Sequence, residues 1–308
     1  MKRVAVIGSG AMGCLFGAYL SEVADVVLFD TWRAHVQAMR EHGLLLEELD
    51  RSRRQCNVTA TDRVEEIGVV DTALICVKSH QTRWATDVAA AVLRADGVAV
   101  TLQNGLGNRE ILAGILGGDR VIQGVTAHGA TLLGPGEVRH AGQGPTHLAV
   151  SISSPERARQ VANLLEGAGF EVHLSQDLDS LIWGKLVINA GINGLTAILR
   201  VANGQLAENA PARELLAQAV QEAVQVAAGL GISLPYPDGV ERTLEVCRAT
   251  ASNRSSMLQD VLRGSPTEID FINGVIVRQG QELRLATPVN CVVVLVLQAI
   301  ERSYGVRV

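Results

Sequence analysis

Short apolar runs alternate with longer amphipathic segments through the first 176 residues of the chain. The apolar runs of strand length cover residues 4–7, 26–29, 72–77 and 98–102, and the segments with helical periodicity between them cover residues 33–42 and 82–93. Apolar strands that are separated by helices are typical of a parallel sheet with both faces covered. The pattern therefore predicts an α/β domain at the start of the chain.

A hairpin and three further strands are predicted later in the same domain. The strands cover residues 121–127, 146–151 and 171–174, with a helix at residues 155–167. Pro135-Gly136, within the segment LLGPGEVRH, predicts the corner of the hairpin. His128, His140 and His147 lie in this region without an identifiable catalytic partner, and we interpret them as surface or packing histidines.

The strand pattern disappears near residue 177 and helical periodicity replaces it. The predicted helices cover residues 179–200, 211–228, 238–250, 267–282 and 288–303. We therefore predict two domains: an α/β domain over residues 1–176 and an all-α domain over residues 177–308.

Composition and charge narrow the classes of function. The 308 residues are 47% hydrophobic and 19% charged, which is typical of a globular protein, and the net charge of −5 gives no reason to expect a nucleic-acid partner. The basic cluster Arg51-Ser52-Arg53-Arg54 is interpreted as a solvated turn. The apolar run at residues 291–300 is too short to span a bilayer, so no membrane association is expected.

The five cysteines point to a reducing compartment and away from a metal site. They contain no C-x-x-C pair and have no histidine-rich surroundings, so neither a metal centre nor a disulfide framework is predicted. Unpaired thiols in a sequence without a signal-peptide pattern fit the cytoplasm, where we expect the protein to act.

A glycine-rich turn follows the first predicted strand and opens a helix. It reads Gly8, Ser9, Gly10, Ala11, Met12 and Gly13, which is the pattern G-x-G-x-x-G between a strand and a helix. In this pattern the first glycine permits the tight turn, the second admits a pyrophosphate, and the third allows close packing of the helix on the strand. The helix N-terminus then favours bound phosphate. These six residues are therefore predicted to bind a dinucleotide in a Rossmann-type domain.

Asp30 ends the second predicted strand, about 20 residues beyond the glycine turn. A carboxylate at this place can accept a hydrogen bond from the 2′-hydroxyl of the adenosine ribose and would repel a 2′-phosphate, which favours NADH over NADPH. The alternative is that Asp30 only caps the following turn or helix. Trp32 and Arg33 lie just beyond it, where they could frame an adenine or accommodate a phosphate.

Polar residues also follow two other predicted strands. Lys78 stands at the end of one, and Gln103, Asn104 and Gly105 stand at the end of the next. Ligands of such sheets bind beyond the carboxyl ends of the strands, so Lys78 and Asn104 are candidate cofactor and substrate contacts. The alternatives are a solvent-facing lysine and an ordinary Asn-Gly turn.

A polar stripe interrupts the apolar helix WGKLVINAGINGLTAI. Lys185, Asn189 and Asn193 are spaced by four residues and so share one face of the helix. A buried lysine is costly unless it is partnered, although a lysine stem can also extend to solvent. A second polar cluster contains Asn253, Ser255, Ser256 and Glu268, which could equally serve as helix-capping or helix-start residues.

Taken together, these motifs resemble the ketopantoate reductases. The resemblance rests on GSGAMG, VK, QNG, KLVINAGIN, NRSSMLQD and TEIDFING, which run in family order from residue 8 to residue 274. It implies NAD(P)H-dependent reduction of ketopantoate to D-pantoate, a step of pantothenate biosynthesis, by a homodimer.

The resemblance also implies roles for single residues. Lys185 would be the general acid, and Glu268 would join its network and contact the substrate hydroxyl. The remaining implied contacts are Asn104 with nicotinamide and substrate, Asn189 and Asn193 with the substrate hydroxyl, Asn253 and Ser256 with the carboxylate, and Lys78 with cofactor and substrate.

Asp30-Thr31 departs from the family pattern, which places an arginine after the second strand and usually uses NADPH. Two alternatives to ketopantoate reduction therefore stay open. One is an NADH-dependent D-2-hydroxy acid dehydrogenase that acts on another branched 2-keto acid. The more distant one is a dinucleotide-binding redox sensor, which would have no need of the Lys185 cluster.

Overall fold

The computed structural model describes residues 2–150 and 155–306. The chain divides into two compact units. The first comprises Met1–Gln103 and Gly107–Leu178, and the second comprises Asn104–Leu106 and Asp179–Val308.

All strands among the described residues belong to the first unit. In chain order they are β1 (Arg3–Ile7), β2 (Asp25–Phe29), β3 (Leu44–Glu47), β4 (Arg53–Cys56), β5 (Thr59–Thr61), β6 (Val70–Ile75), β7 (Leu93–Thr101), β8 (Val121–Thr126), β9 (Gly129–Gly134), β10 (Glu137–Gly142), β11 (Thr146–Ala149) and β12 (Val172–Ser175). The predicted strand at residues 146–151 ends earlier than expected, and residue 151 lies outside the described residues.

The helices occur in both units. In chain order they are α1 (Ala11–Leu20), α2 (Arg33–His42), α3 (Thr82–Val92), α4 (Asn108–Leu116), α5 (Pro155–Gly167), α6 (Leu178–Leu199), α7 (Gly204–Glu208), α8 (Ala210–Gly229), α9 (Gly239–Ala249), α10 (Ser256–Leu262), α11 (Asn273–Leu283) and α12 (Pro288–Arg302).

An eight-stranded sheet forms the centre of the first unit, with the order β12-β11-β8-β7-β6-β1-β2-β5. Alternate residues of β1 enter two different apolar clusters: Val4 and Val6 pack in one, and Ala5 and Ile7 in the other. Because successive side chains of a strand point to opposite faces, this sheet is covered on both sides, as predicted. The α/β class of the first unit is confirmed.

The sheet is mixed rather than wholly parallel, which corrects the expectation from the sequence. The six strands from β8 to β5 run parallel, whereas β11 pairs antiparallel with β8. The chain passes from β8 to β11 through the β9–β10 hairpin without a crossover helix, and such a return favours antiparallel pairing. Helix α5 then connects β11 to β12, and these two strands are parallel.

A second sheet, with the order β4-β3-β10-β9, was only half predicted. The hairpin of β9 and β10 is confirmed, with Gly136 at its corner in a conformation of φ 73° that suits glycine. Strands β3 and β4 were not predicted. Strand β4, with the sequence RRQC, is too polar to give an apolar signal, and the apolar run of β3, with the sequence LLLE, is only four residues long.

Arg51 and Ser52 lie in an exposed turn, as interpreted, whereas Arg53 and Arg54 are the first residues of strand β4. Arg51, Arg53 and Arg139 all donate hydrogen bonds to the buried carboxylate of Glu47, the last residue of β3. These bonds, led by those from Arg139 and Arg51, lower the pKa of Glu47 to about 2. The exposed arginines Arg51 and Arg53 therefore form ion pairs with Glu47 of the second sheet.

His128 and His140 are buried in the first unit, which agrees with packing roles. Nδ1 of His128 lies 3.1 Å from Nε2 of His140, and Nδ1 of His140 lies 3.3 Å from the Tyr19 hydroxyl. Burial lowers the pKa of both imidazoles. His147 is partly exposed and lies beside His173 across the β11–β12 pair.

The second unit is helical, as predicted, and its apolar cluster is formed by residues of α6 to α12. The predicted helix at residues 267–282 is shorter than expected. Ile269–Phe271 forms a 3-10 turn, and α11 begins only at Asn273. Glu268 therefore precedes a 3-10 turn and does not lie inside a helix.

Helix α6 is the central element of this unit. It is long and apolar enough to span a membrane by length and composition, but 72% of its apolar window is buried inside the protein, as in the core helices of many proteins. A Cβ on Gly191 would lie 2.6 Å from Val220 of α8, and one on Gly194 would lie 2.4 Å from Val293 of α12. Glycine at both positions allows the neighbouring helices to approach closely.

Candidate active site

The first and third glycines of the G-x-G-x-x-G turn are required by local geometry. Gly8 has φ 92°, and a Cβ there would lie 2.7 Å from the backbone nitrogen of Val77. A Cβ on Gly13 would lie 2.0 Å from the carbonyl oxygen of Gly8. Only glycine lets helix α1 pack this closely against β1 and the turn.

Gly10 differs from its two neighbours in the motif. Within the described residues no heavy atom outside its immediate neighbours lies within 4 Å of a Cβ built on Gly10. Helix α1 begins at the next residue, Ala11, and no described side chain caps its first turn, which also holds Met12. This open approach to an uncapped helix N-terminus fits the pyrophosphate of a dinucleotide.

Asp30 follows the last residue of β2, as the sequence predicts. Its Oδ1 accepts a hydrogen bond from the Trp32 backbone N–H at 2.9 Å, and its Oδ2 lies 3.4 Å from the Ser9 hydroxyl. The carboxylate thus joins the glycine turn while it also stabilises the following turn. Arg33 forms an ion pair with Asp62 at 3.4 Å.

His35 lies beside the glycine turn and was not identified from the sequence. It lies on α2, is fully buried, and places Nε2 2.8 Å from the Ser9 carbonyl oxygen. Its Nδ1 accepts a hydrogen bond from the Gly136 backbone N–H at 2.9 Å. The available signal was a histidine on the apolar face of a predicted helix, which does not reveal its partners.

The ends of β6 and β7 are joined by a polar network. Gln103 donates hydrogen bonds to the Val77 carbonyl at 2.8 Å and to the Thr82 hydroxyl at 2.9 Å, and Thr82 donates to Asn108 at 2.7 Å. Lys78 is partly buried and directly precedes the 3-10 turn Ser79–Gln81. Gln103 therefore supports the loops that carry Lys78.

Asn104 belongs to the second unit although it follows β7 in the chain. Gly105 has φ 81°, and a Cβ on it would lie 2.4 Å from the Phe271 carbonyl oxygen. The backbone N–H of Leu106 donates to that oxygen at 3.1 Å, and the N–H of Phe271 donates to the Glu268 carbonyl at 3.0 Å. The structure thus holds Asn104 next to the segment that carries Glu268.

The polar stripe of α6 forms as predicted. Lys185 and Asn189 are partly buried, and Asn193 is buried. Burial lowers the pKa of Lys185 to about 8, and the carboxylate of Glu268 opposes this shift by favouring the ammonium form. Glu268 is itself buried, so the structure places an ammonium and a carboxylate in one poorly solvated environment.

Thr196 continues the stripe and was also missed. Its hydroxyl lies 2.7 Å from the Ser255 hydroxyl, which accepts a hydrogen bond from the Leu258 N–H and caps α10. Ser256 is the partly buried first residue of α10, so this contact brings Ser256 to the α6 stripe. Thr196 escaped notice because a buried threonine within a helix commonly bonds only to its own backbone.

Asn253 lies two residues before Ser255, the residue that contacts Thr196 of the α6 stripe. It is exposed, and its carbonyl oxygen accepts a hydrogen bond from the Asn203 N–H at 3.0 Å. Its exposure distinguishes it from Lys185, Glu268 and the asparagines of α6, which are buried or partly buried.

This arrangement has a definite chemical capacity. An ammonium whose pKa lies near neutrality can give a proton to an oxygen that develops negative charge, and amide groups beside it can hold the polar groups of a small acid. The glycine turn of the first unit has the form of a dinucleotide site. Both features are typical of enzymes that reduce a carbonyl group.

Comparison with known proteins identifies the family. A family model described as ketopantoate reductase PanE/ApbA matches residues 4–151, and its C-terminal counterpart matches residues 177–301. The 2-dehydropantoate 2-reductase of Halobacterium salinarum is 36% identical over 291 residues, covering 93% of this chain and 95% of that protein. The 2-dehydropantoate 2-reductase of Archaeoglobus fulgidus is 35% identical over 303 residues, and the match covers 98% of this chain and 98% of that protein.

Solved structures are similar over the same length. A PanE/ApbA family ketopantoate reductase from Ralstonia eutropha has a TM-score of 0.89 and 30% identity, covering 98% of this chain and 99% of that one. A D-mandelate dehydrogenase with NADH and anilino(oxo)acetate has a TM-score of 0.90 and 29% identity, covering 99% of this chain and 100% of that one. Two family models that together cover most of the chain, and relatives of this identity, lead to one conclusion: the chain belongs to the ketopantoate reductase family.

Proposed function

We propose that this protein is a 2-dehydropantoate 2-reductase that uses NAD(P)H to convert ketopantoate to D-pantoate in pantothenate biosynthesis. The observation that carries the proposal is Lys185, an ammonium with a lowered pKa beside the Glu268 carboxylate on the polar stripe of α6. The curated relatives named 2-dehydropantoate 2-reductase support the substrate. When bound, the dinucleotide supplies the hydride.

Lys185 acts as the general acid. Hydride addition to the keto carbon leaves negative charge on the oxygen, and the Lys185 ammonium donates a proton to it. Glu268 favours the ammonium form and accepts a hydrogen bond from the substrate hydroxyl. Asn189 and Asn193 orient that hydroxyl from the same face of α6, and Asn104 orients the keto group.

The remaining residues hold the two ends of the ligands. Ser256, with Asn253 nearby, contacts the carboxylate, and Lys78 lies beside the cofactor and the substrate. Gly8 to Gly13 cradle the pyrophosphate, and Asp30 accepts a hydrogen bond from the ribose.

Asp30 is proposed to make NADH the preferred cofactor. Its carboxylate would repel a 2′-phosphate, and Arg33, the nearest arginine in the chain, is paired with Asp62. We expect Asp30→Ser to lower kcat/KM with NADH by about tenfold, because a hydroxyl replaces a charge-assisted hydrogen bond. The preference for NADH over NADPH should shrink accordingly. A variant that keeps the wild-type ratio of the two kcat/KM values would show that Asp30 does not set the preference.

A second candidate is reduction of another branched 2-keto acid to a D-2-hydroxy acid. Asp30 favours it, because a neighbour by structure is a D-mandelate dehydrogenase that was solved with NADH. The Glu268 carboxylate, which is suited to the hydroxyl of ketopantoate, favours the first candidate.

Turnover of purified protein tests the proposal directly. Loss of absorbance at 340 nm is followed with ketopantoate and with a panel of branched 2-keto acids, each with NADH and NADPH. We expect ketopantoate to have the highest kcat/KM and Lys185→Ala to lower kcat by about 10²–10⁴-fold. A higher kcat/KM for another keto acid would select the second candidate.

We further propose a homodimer in the cytoplasm. Val292, Leu295 and Val296 expose an apolar face of α12, and the five cysteines are free. Light scattering after size exclusion should give twice the chain mass, and Leu295→Glu should reduce it to one chain mass. A wild-type monomer would refute the assembly.

A further inference from the structure

The side chain of His35 has a defined tautomer. A backbone N–H can only donate, so the 2.9 Å contact from Gly136 requires a lone pair on Nδ1 of His35. The neutral imidazole then carries its proton on Nε2, which lies 2.8 Å from the Ser9 carbonyl oxygen and donates to it. Each ring nitrogen is thereby bonded to the backbone of a different element.

The Ser9 carbonyl lies inside the glycine turn, and its direction sets that of the next N–H. Carbonyl and N–H of a trans peptide point in opposite directions. A Ser9 carbonyl that is held towards His35 therefore directs the Gly10 N–H away from His35. The Cys14 thiol contacts the same carbonyl at 3.0 Å and adds a second restraint.

The surroundings of His35 tie this geometry to several elements. Trp32 stacks on the imidazole with ring centroids 5.1 Å apart and an interplanar angle of 11°. The titratable groups that face it are the Cys14 thiol from α1, whose Sγ lies 3.3 Å from Nε2, and the Asp30 carboxylate beyond β2. From the hairpin it meets the Gly136 backbone. Burial lowers the pKa of His35, and the hydrogen bond to the Ser9 backbone and the Asp30 carboxylate oppose this shift.

We propose that His35 is a positioning residue of the dinucleotide site, and that its neutral imidazole holds the Ser9–Gly10 peptide in the orientation that binds phosphate. A second proton would turn Nδ1 into a donor that faces the Gly136 N–H. The bond to the hairpin is then lost, the imidazole moves, and the peptide is released. Cofactor affinity should therefore fall when His35 is protonated. This inference rests on the proposed cofactor use.

The test measures ADP-ribose binding by calorimetry between pH 5 and pH 8, because this ligand has the pyrophosphate and needs no keto acid. We expect the wild-type Kd to rise as the pH falls, by up to about tenfold per pH unit for one linked proton. His35→Gln, which can still donate to Ser9 but does not titrate, should bind with a flat pH profile. His35→Leu should bind more than tenfold more weakly than His35→Gln at pH 8.

His42→Gln is the matched control, because His42 is an exposed histidine on the same helix. It should keep the wild-type pH dependence. Nitrogen-15 spectra of the wild-type imidazoles should show His35 protonated on Nε2 alone at pH 8. A pH profile that His35→Gln leaves unchanged, or a proton on Nδ1, overturns the inference but leaves the reductase proposal intact. Wild-type protein that does not bind ADP-ribose at all would overturn both.

Discussion

Lys185 is a charged side chain on α6, the largely buried helix of the second unit. Desolvation penalises its ammonium form and the Glu268 carboxylate partly restores it, so the pKa lies at about 8. An ordinary lysine would hold its proton too tightly to be a good donor at neutral pH. The surroundings thus lower the pKa of Lys185 enough to make it a candidate general acid.

The pH dependence of turnover follows from this pKa. A proton donor must be protonated, so kcat for keto-acid reduction should fall as the pH rises through about 8. Glu268→Gln removes the charge that favours the ammonium, and the falling limb should therefore move to lower pH. Steady-state rates at saturating substrate, measured as a function of pH, give the falling limb of the wild type and of Glu268→Gln. If the falling limb of Glu268→Gln lay at the same pH as that of the wild type, Glu268 would not influence the pKa of Lys185.

At the scale of elements, the turn from β1 into α1 depends on three glycines for different reasons. Gly8 and Gly13 serve the packing of the chain on itself, whereas Gly10 borders open space. Within one motif, Gly8 and Gly13 are therefore needed for stability, and Gly10 is available to a ligand.

Two alanine substitutions should separate these roles. Gly10→Ala meets no described atom within 4 Å and has an ordinary φ of −66°, so its unfolding free energy should stay within about 0.5 kcal/mol of wild type. Its NADH affinity should fall, because the methyl group occupies the phosphate approach. Gly13→Ala places Cβ 2.0 Å from the Gly8 carbonyl and should destabilise the protein by about 1–3 kcal/mol.

Urea unfolding and NADH titration measure the two quantities. Gly114→Ala, in helix α4 and also without a described atom within 4 Å, is the control for added methyl groups and should leave NADH affinity unchanged. If Gly13→Ala were as stable as wild type, the close contact of α1 with Gly8 would be disproved.

At the scale of the whole molecule, a buried polar network joins four helices of the second unit. Asn273 of α11 donates to the Ala190 carbonyl of α6 at 3.0 Å and to Asn290 of α12 at 2.9 Å. Asn290 donates to Glu222 of α8 at 2.7 Å, and Glu222 also accepts the N–H groups of Val289 and Asn290. Through the Ala190 carbonyl, the network is bonded to α6, the helix that carries Lys185.

Removing the centre of this network should cost stability. Asn290→Ala leaves hydrogen-bonding groups of Asn273 and Glu222 without their partner, and we expect a loss of about 1–3 kcal/mol in unfolding free energy. Gln218→Ala, on the exposed side of the same helix as Glu222, should cost less than about 0.5 kcal/mol. Equal losses in the two variants, measured by urea unfolding, would show that the network contributes little.

Local patterns were sufficient for most elements. The bounds of α2 agree with prediction residue for residue, and those of α3, α8 and α12 agree to within about a residue, because amphipathic periodicity and flanking turns are local properties. Strand β4 was not predictable in this way. Its arginines give no apolar signal, and the Glu47 carboxylate that Arg53 shares with Arg139 of the distant hairpin is brought beside it only by the fold.

The candidate site shows the same division. The sequence by itself determined the glycine turn, the position of Asp30 and the spacing of Lys185, Asn189 and Asn193, since each is set by a turn or a helical period. Only the tertiary structure decided that Glu268 acts on the pKa of Lys185, that Thr196 reaches Ser255, and that His35 holds Ser9. Those contacts join residues from 26 to 83 positions apart, and their energies depend on burial, which no local pattern specifies.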